Sequence, residues 1–197
     1  MSTTDPHTVE EIDWHSVTED AQQLLAASDR VHSRAEVDAA LDRMADEIHA
    51  IYGDRPLHVL AVMNGALFPC AALLQRLRNP MVVDYLHATR YRGQTSGGSL
   101  VWKVAPPPDL RDRDVLLVDD ILDEGKTLQA IREALGRSGP ASLRVAVLVR
   151  KVHDRCVAGA GADIIGLEVP DRYVFGCGMD VHGFWRQLPE IRALREG

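Results

Sequence analysis

The sequence predicts an α/β domain with a largely parallel central sheet, and three observations carry that prediction. Short apolar runs recur along the chain at 57–63, 114–118 and 143–149. Between them lie stretches whose apolar residues return at helical spacing, so strands alternate with helices. One junction, from Asp119 to Thr127, joins an apolar strand to a helix through a short polar loop containing Gly125.

Taken in order, residues 1–15 read as an N-terminal tail and 16–197 as a single domain. A short helix is expected over 18–28. Ser33-Arg34-Ala35-Glu36 has the form of a capping box, with Val37, Leu41, Met44, Ile48 and Ile51 at helical spacing behind it. Gly53 and Pro56 stop that helix. Leu57 to Met63 reads as a buried strand, Asn64-Gly65 as a turn, Leu67 to Leu77 as a helix, and Met81 to His87 as a second strand. Arg90 to Ser99 is polar and glycine-rich and reads as a mobile loop. A strand resumes at Leu100 to Val104 and three prolines end it. Asp114 to Val118 is the clearest buried strand, followed by a loop over 119–125 and a helix over 127–137. Further strands are expected at 143–149, 164–169 and 173–175. In such sheets ligands bind beyond the carboxyl ends of the strands, which points to the loops after Met63, Val118 and Val149.

Composition narrows the classes. The chain has 197 residues, 46% of them hydrophobic, enough for one substantial core. Lys and Arg number 22 against 29 Asp and Glu, a formal charge of −7, so a global basic footprint for nucleic acid is absent. No apolar run approaches the roughly 18 residues of a membrane span. Met1 to Glu11 is polar and acidic, so no secretory signal is expected. Cys70, Cys156 and Cys177 form neither a disulfide framework nor a zinc set and suggest reduced thiols in the cytoplasm.

The chemistry concentrates in Val115 to Leu128, VLLVDDILDEGKTL. A strand, a glycine-bearing loop and a helix N-terminus together make an anion site, because free amides and the positive end of the helix dipole face the ligand. Gly125 permits close approach of the backbone and Thr127 adds a hydroxyl. Carboxylates at Asp119, Asp120 and Asp123 fit beside a phosphate only if the ligand also brings magnesium, or hydroxyls that need acceptors. A P-loop is excluded, since the glycine it needs five residues before Gly125 is Asp120. A dinucleotide fingerprint is excluded because this loop has one glycine.

This segment resembles the phosphoribosyl diphosphate-binding signature of type I phosphoribosyltransferases: an apolar strand, two acids, two apolar residues, then Asp-[Ser/Thr]-Gly-x-Thr. The resemblance extends over roughly 31–194. Within that superfamily it is closest in character to hypoxanthine-guanine phosphoribosyltransferases, through VMNGA, ATRYRGQTSGG, LVRKVHDR and VPDRYVFGCGMD…FWR. It implies the type I fold, a parallel sheet flanked by helices with a flexible lid loop and a small hood. It implies transfer of ribose 5-phosphate from phosphoribosyl diphosphate to a purine, with Mg2+ as cofactor.

The same resemblance assigns residues. Asp119 and Asp120 match the acids that hold the ribose hydroxyls and magnesium, and Asp123 the general base at purine N7. Glu124, Gly125, Lys126 and Thr127 match the 5′-phosphate cradle, with Glu124 standing where the family commonly has Ser or Thr. Met63, Asn64 and Gly65 match a pyrophosphate-side loop that often contains a cis peptide, with Asn64 in place of a common Lys or Arg. Arg90, Tyr91 and Arg92 match the lid. Lys151 matches the donor to the purine 6-oxo group, with Arg150 the rival by one register. Tyr173 matches the ring that stacks on the base and Val174 the backbone that reads its edge. Asp180 matches a further metal ligand and Arg186 a pyrophosphate contact. His153, His182 and Trp185 read as structural.

Three competing readings stay open at this level. One is the same reaction with xanthine preferred. Another is a regulator on the same fold that binds RNA, disfavoured by the negative charge. The third is a phosphoacceptor signalling domain, suggested only by the Asp119-Asp120 pair. The expected partners are small molecules and other copies of the chain, as a homodimer or homotetramer, with neither nucleic acid nor membrane.

Overall fold

The computed structural model describes residues 14–90 and 100–195. Helix α1 (Trp14–Ala26) leads into a short strand, β1 (Ser28–His32). Ser33 then caps α2 (Arg34–Tyr52). Its hydroxyl accepts from the Glu36 amide while the Glu36 carboxylate accepts from the Ser33 amide, the reciprocal pair the sequence predicted. Val37, Leu41, Met44 and Ile48 turn one face of α2 into the core. β2 (Leu57–Val62), α3 (Leu67–Leu74), β3 (Met81–Arg90) and β4 (Leu100–Val104) follow. Next come β5 (Asp114–Leu122), α4 (Lys126–Gly136), β6 (Ser142–Lys151) and β7 (Ile164–Val169), then β8 (Val174–Phe175) and β9 (Ile191–Leu194).

The main sheet has six strands in the order β4-β3-β2-β5-β6-β7. All its pairings are parallel except β3 with the edge strand β4. β2 is buried along its whole length, as are Val115 to Val118 of β5, because helices cover both faces of the sheet. α2 packs on β7, α3 on β5 and α4 on β3. A second, antiparallel sheet of three strands, β1-β9-β8, sits at one end as a hood.

Several elements differ from the sequence reading, with β3 running on to Arg90 and β6 to Lys151. β5 continues past Val118 to Leu122, so Asp119 and Asp120 lie on the strand rather than in a loop. The cause is the long neighbour β6, which pairs Asp119 with Val147 and Leu122 with Arg150 and holds the acids extended against their weak strand preference. α1 starts at Trp14, inside the segment read as tail. α3 ends at Leu74, three residues short of the predicted end. β1 and β9 were not anticipated. Both are short, and β1 forms by pairing with β9 across most of the chain, Asp29 opposite Ala193, while β9 also pairs with β8.

Candidate active site

The loops after β2, β5 and β6 meet at the carboxyl edge of the sheet. Gly125 turns the chain from β5 into α4 in the left-handed region, φ 76°. A Cβ there would lie 2.5 Å from the Ala160 Cβ, so strain and space both select glycine. The amides that open α4 have no partner within the helix. A cavity beside them is lined by Thr89, Asp119, Asp123, Gly125, Lys126 and Thr127. The charge of Glu124 is answered locally, because the Lys126 ammonium pairs with its carboxylate. That contact holds the Glu124 carboxyl below the usual carboxylate range.

Asp119 lines this cavity, and Asp120, next to it on β5, lines the neighbouring cleft. Burial pushes both carboxyls above the usual range, and the Asp120 charge raises Asp119 further. The Arg186 guanidinium opposes this at Asp120. The loop after β2 closes against the pair. Its Met63–Asn64 peptide is cis. A Cβ at Gly65 would fall 2.0 Å from Asp120 Oδ2, so only glycine lets the loop and the acid approach. Gly65 in turn is backed by Gly178, where a Cβ would fall 2.0 Å from the Gly65 carbonyl oxygen. Asn64 is exposed at the loop tip.

Asp123 lies just beyond β5, and both its oxygens are engaged. Lys151 Nζ donates to Oδ2 at 2.8 Å, and His153 Nε2 lies 2.6 Å from Oδ1. Burial works to raise the Asp123 pKa, but the hydrogen bonds from Lys151 and His153 outweigh it and hold the carboxyl below its ordinary value. Lys151 and Asp123 share a second cleft with Tyr173, Val174, Asp120 and Asp180. Tyr173 is half exposed there, and His182 meets its ring edge-on with centroids 6.5 Å apart. Val174 is buried on β8. Lys151 reaches Asp123, whereas its neighbour Arg150 pairs with Glu168.

Asp180 lines the same cleft as Asp120. Its Oδ1 accepts from Arg186 Nη2 at 2.5 Å and its Oδ2 from the Gly183 amide at 2.8 Å. Arg186 also donates to the Gly178 carbonyl. Among the described residues no three His, Cys, Asp or Glu side chains converge as a metal site. The donor set still suits magnesium, which takes one or two carboxylates and leaves its other positions to waters and substrate phosphates. Two crowded carboxylates with raised pKa values are ligands that a cation would relieve. Of the lid residues, Arg90 ends β3, while Tyr91 and Arg92 lie outside the described residues.

His153 reads as structural from the sequence, because a histidine two residues after a basic pair carries no signal until the fold brings it to Asp123. His182 was likewise silent. The Trp185 indole donates to the Ala21 carbonyl of α1 at 2.7 Å.

These features define an α/β protein with a helix-terminal anion cradle at the carboxyl edge of its sheet. Its family follows from comparison: the phosphoribosyl transferase domain profile matches residues 28–180, and the chain belongs to that family. It is 30% identical to the hypoxanthine-guanine-xanthine phosphoribosyltransferase of Tritrichomonas foetus, over 90% of this chain and 94% of that protein. It is 32% identical to the hypoxanthine-guanine phosphoribosyltransferase of Aquifex aeolicus, over 78% and 86% of the two chains. Among solved structures it is similar to a hypoxanthine phosphoribosyltransferase from Trypanosoma cruzi in a ternary substrates complex. That match has a TM-score of 0.78 and 26% identity, covering 84% of this chain and 94% of the other. A Staphylococcus aureus structure superposes with a TM-score of 0.80 over 94% of this chain, and at 24% identity it supports the fold alone.

Proposed function

We propose that this phosphoribosyltransferase transfers ribose 5-phosphate to N9 of hypoxanthine or guanine, giving IMP or GMP and pyrophosphate. One observation carries the reading. The Lys151 ammonium and the Asp123 carboxylate are 2.8 Å apart on one wall of a cleft that also presents Tyr173, beside the anion cradle. A fixed cation suits a 6-oxo oxygen, an acceptor next to it suits the N7 proton, and an aromatic ring suits a purine face. Adenine would set an amino donor against the Lys151 donor, so this wall disfavours it.

In this reading the amides of 124–127 hold the 5′-phosphate, and the loop 63–65 with Arg186 faces the pyrophosphate. Asp119 and Asp120 accept from the ribose hydroxyls and set negative charge beside the ring as it becomes cationic, a preorganised electrostatic effect. Asp123 takes the N7 proton as N9 attacks the anomeric carbon and pyrophosphate departs. Magnesium, when bound through Asp119 and Asp120, offsets charge on the leaving group. Asp180 serves the site through Arg186. The lid, Arg90 to Arg92, covers the polyanion and excludes water.

Residues 16–197 act as one domain in this view. Self-association is supported by exposed apolar surface on β3 and β4, at Val82, Val83, Tyr85 and Val101. Reduced cysteines fit a cytoplasmic setting, and no described helix is long and apolar enough to cross a membrane.

The test is an ultraviolet assay with phosphoribosyl diphosphate and magnesium against hypoxanthine, guanine, xanthine and adenine. Turnover of the first two, lost on chelation and cut by about 100-fold or more in Asp123→Asn, is expected. Xanthine belongs in the panel because the T. foetus relative is named for all three bases. Binding of phosphoribosyl diphosphate without turnover of any purine would discard the base assignment.

A further inference from the structure

We propose that His153 is a positioning residue for Asp123, a neutral tether that keeps the base aimed when Lys151 turns to the purine. The inference rests on the reading of Asp123 as the acceptor of the N7 proton. Its own evidence is geometric. The His153 side chain is 4% exposed, and Nε2 lies 2.6 Å from Asp123 Oδ1. The opposite ring nitrogen, Nδ1, accepts the Arg155 backbone N–H at 3.1 Å. An Nδ1 that receives an amide proton carries none of its own. The ring proton therefore sits on Nε2 and is donated to Asp123.

Two consequences follow from that tautomer. His153 does not relay the proton onward, because Nε2 is already protonated and Nδ1 is closed by Arg155. Its work is to orient the carboxylate and to favour its ionised form. The second consequence concerns Lys151. Before substrate binds, Lys151 holds the other oxygen of Asp123, yet the proposed reaction asks the same ammonium to donate to the 6-oxo group. Asp123 lies beyond the end of β5 with its side chain 42% exposed. Without a second donor it would be free to leave its productive rotamer at the moment it is needed. His153 supplies that donor from outside the cleft.

The groups facing Asp123 are Lys151 from β6, Arg155 from the loop that carries His153, and Glu124 from its own loop. Asp120 and Asp180 line the same cleft, and Asp171 is held by Arg155. Removing the His153 donor leaves these in place and withdraws one interaction that favours the carboxylate. The acid limb of the kcat profile then moves to higher pH.

The experiment compares wild type, His153→Leu and His153→Gln by steady-state kinetics across pH, with thermal melts alongside. His153→Leu is expected to lose about tenfold or more in kcat, the worth of a hydrogen bond to a charged group. Its KM for phosphoribosyl diphosphate should stay unchanged, because the cradle is untouched. Its acid limb should shift upward. His153→Gln, whose amide N–H stands in for Nε2–H, should recover most of both. If the leucine variant does not fold, the glutamine variant decides alone, near-wild-type kcat and acid limb supporting the tether. Wild-type kcat in His153→Leu would overturn the inference. So would equal losses in the two variants accompanied by equal falls in melting temperature, which would mark packing. A wild type inert on every purine would instead overturn the functional reading and this inference with it.

Discussion

Glu124 brings a negative charge into the loop proposed to cradle the 5′-phosphate, and Lys126 answers it from two residues along the same loop. The two side chains are about half exposed, so the pair is a weak stabiliser of the fold and acts mainly on what the cradle offers a ligand. Its cost is the commitment of a cation that a phosphate would otherwise attract. Glu124→Thr should free Lys126 and restore a hydroxyl. We expect the KM for phosphoribosyl diphosphate to fall about two- to fivefold, the range of an exposed ion pair, with kcat little changed. Isothermal titration with phosphoribosyl diphosphate and magnesium would check it. An unchanged or weaker affinity would show that Glu124 and Lys126 face away from the phosphate.

At the scale of elements, the site depends on how closely two loops approach. The turn after β2 touches Asp120 through Gly65, and the turn after β8 touches Gly65 through Gly178. These contacts leave no room for a methyl group. Gly65→Ala must push Asp120 or the whole loop aside, since its Cβ would sit 2.0 Å from a carboxylate oxygen. We expect a stability loss of about 1–3 kcal/mol from overpacking. We expect a fall in kcat/KM of about 100-fold, because an ångström of misplacement disrupts the reacting geometry. Thermal melts and kinetics on the same preparation separate the two effects. Activity near wild type would mean that the acid does not need its present position.

For the whole molecule, acid sensitivity follows from where carboxylates are paired. Asp29 of β1 accepts from Arg195 at 2.9 Å and Arg172 at 3.0 Å, clasping the hood together. Those hydrogen bonds hold its carboxyl below the ordinary value. A lowered folded pKa means stability that is present above the unfolded pKa and is lost as pH falls through the folded one. Asp29→Asn should therefore melt below wild type at neutral pH, with the gap closing as pH drops below about 4. A gap independent of pH would show that the clasp works by packing or by neutral hydrogen bonds. Asp119 and Asp120 carry the opposite sign. Their raised values make the ionised pair costly near neutrality, so the melting temperature should rise when a divalent cation is added.

The sequence by itself determined the α/β class, the run of strands and helices in the main sheet, the Ser33 capping box and the anion loop at Gly125. Each rests on local physics: burial periodicity, a cap within one turn, a glycine where the backbone must take a left-handed conformation. Local signals also placed Asp119, Asp120 and Asp123 near that loop. Tertiary structure alone decided the rest. β1 finds its strand partner in β9, and β9 lies between β1 and β8, so no short window of sequence contains the hood sheet. β5 runs on through its acids because β6 lies alongside. Lys151 rather than Arg150 meets Asp123, because Arg150 is taken by Glu168 of the neighbouring strand β7, a pairing that only the packed sheet creates. His153 gained its place at Asp123 in the same way, from a contact between residues thirty apart that depends on two parallel strands ending side by side.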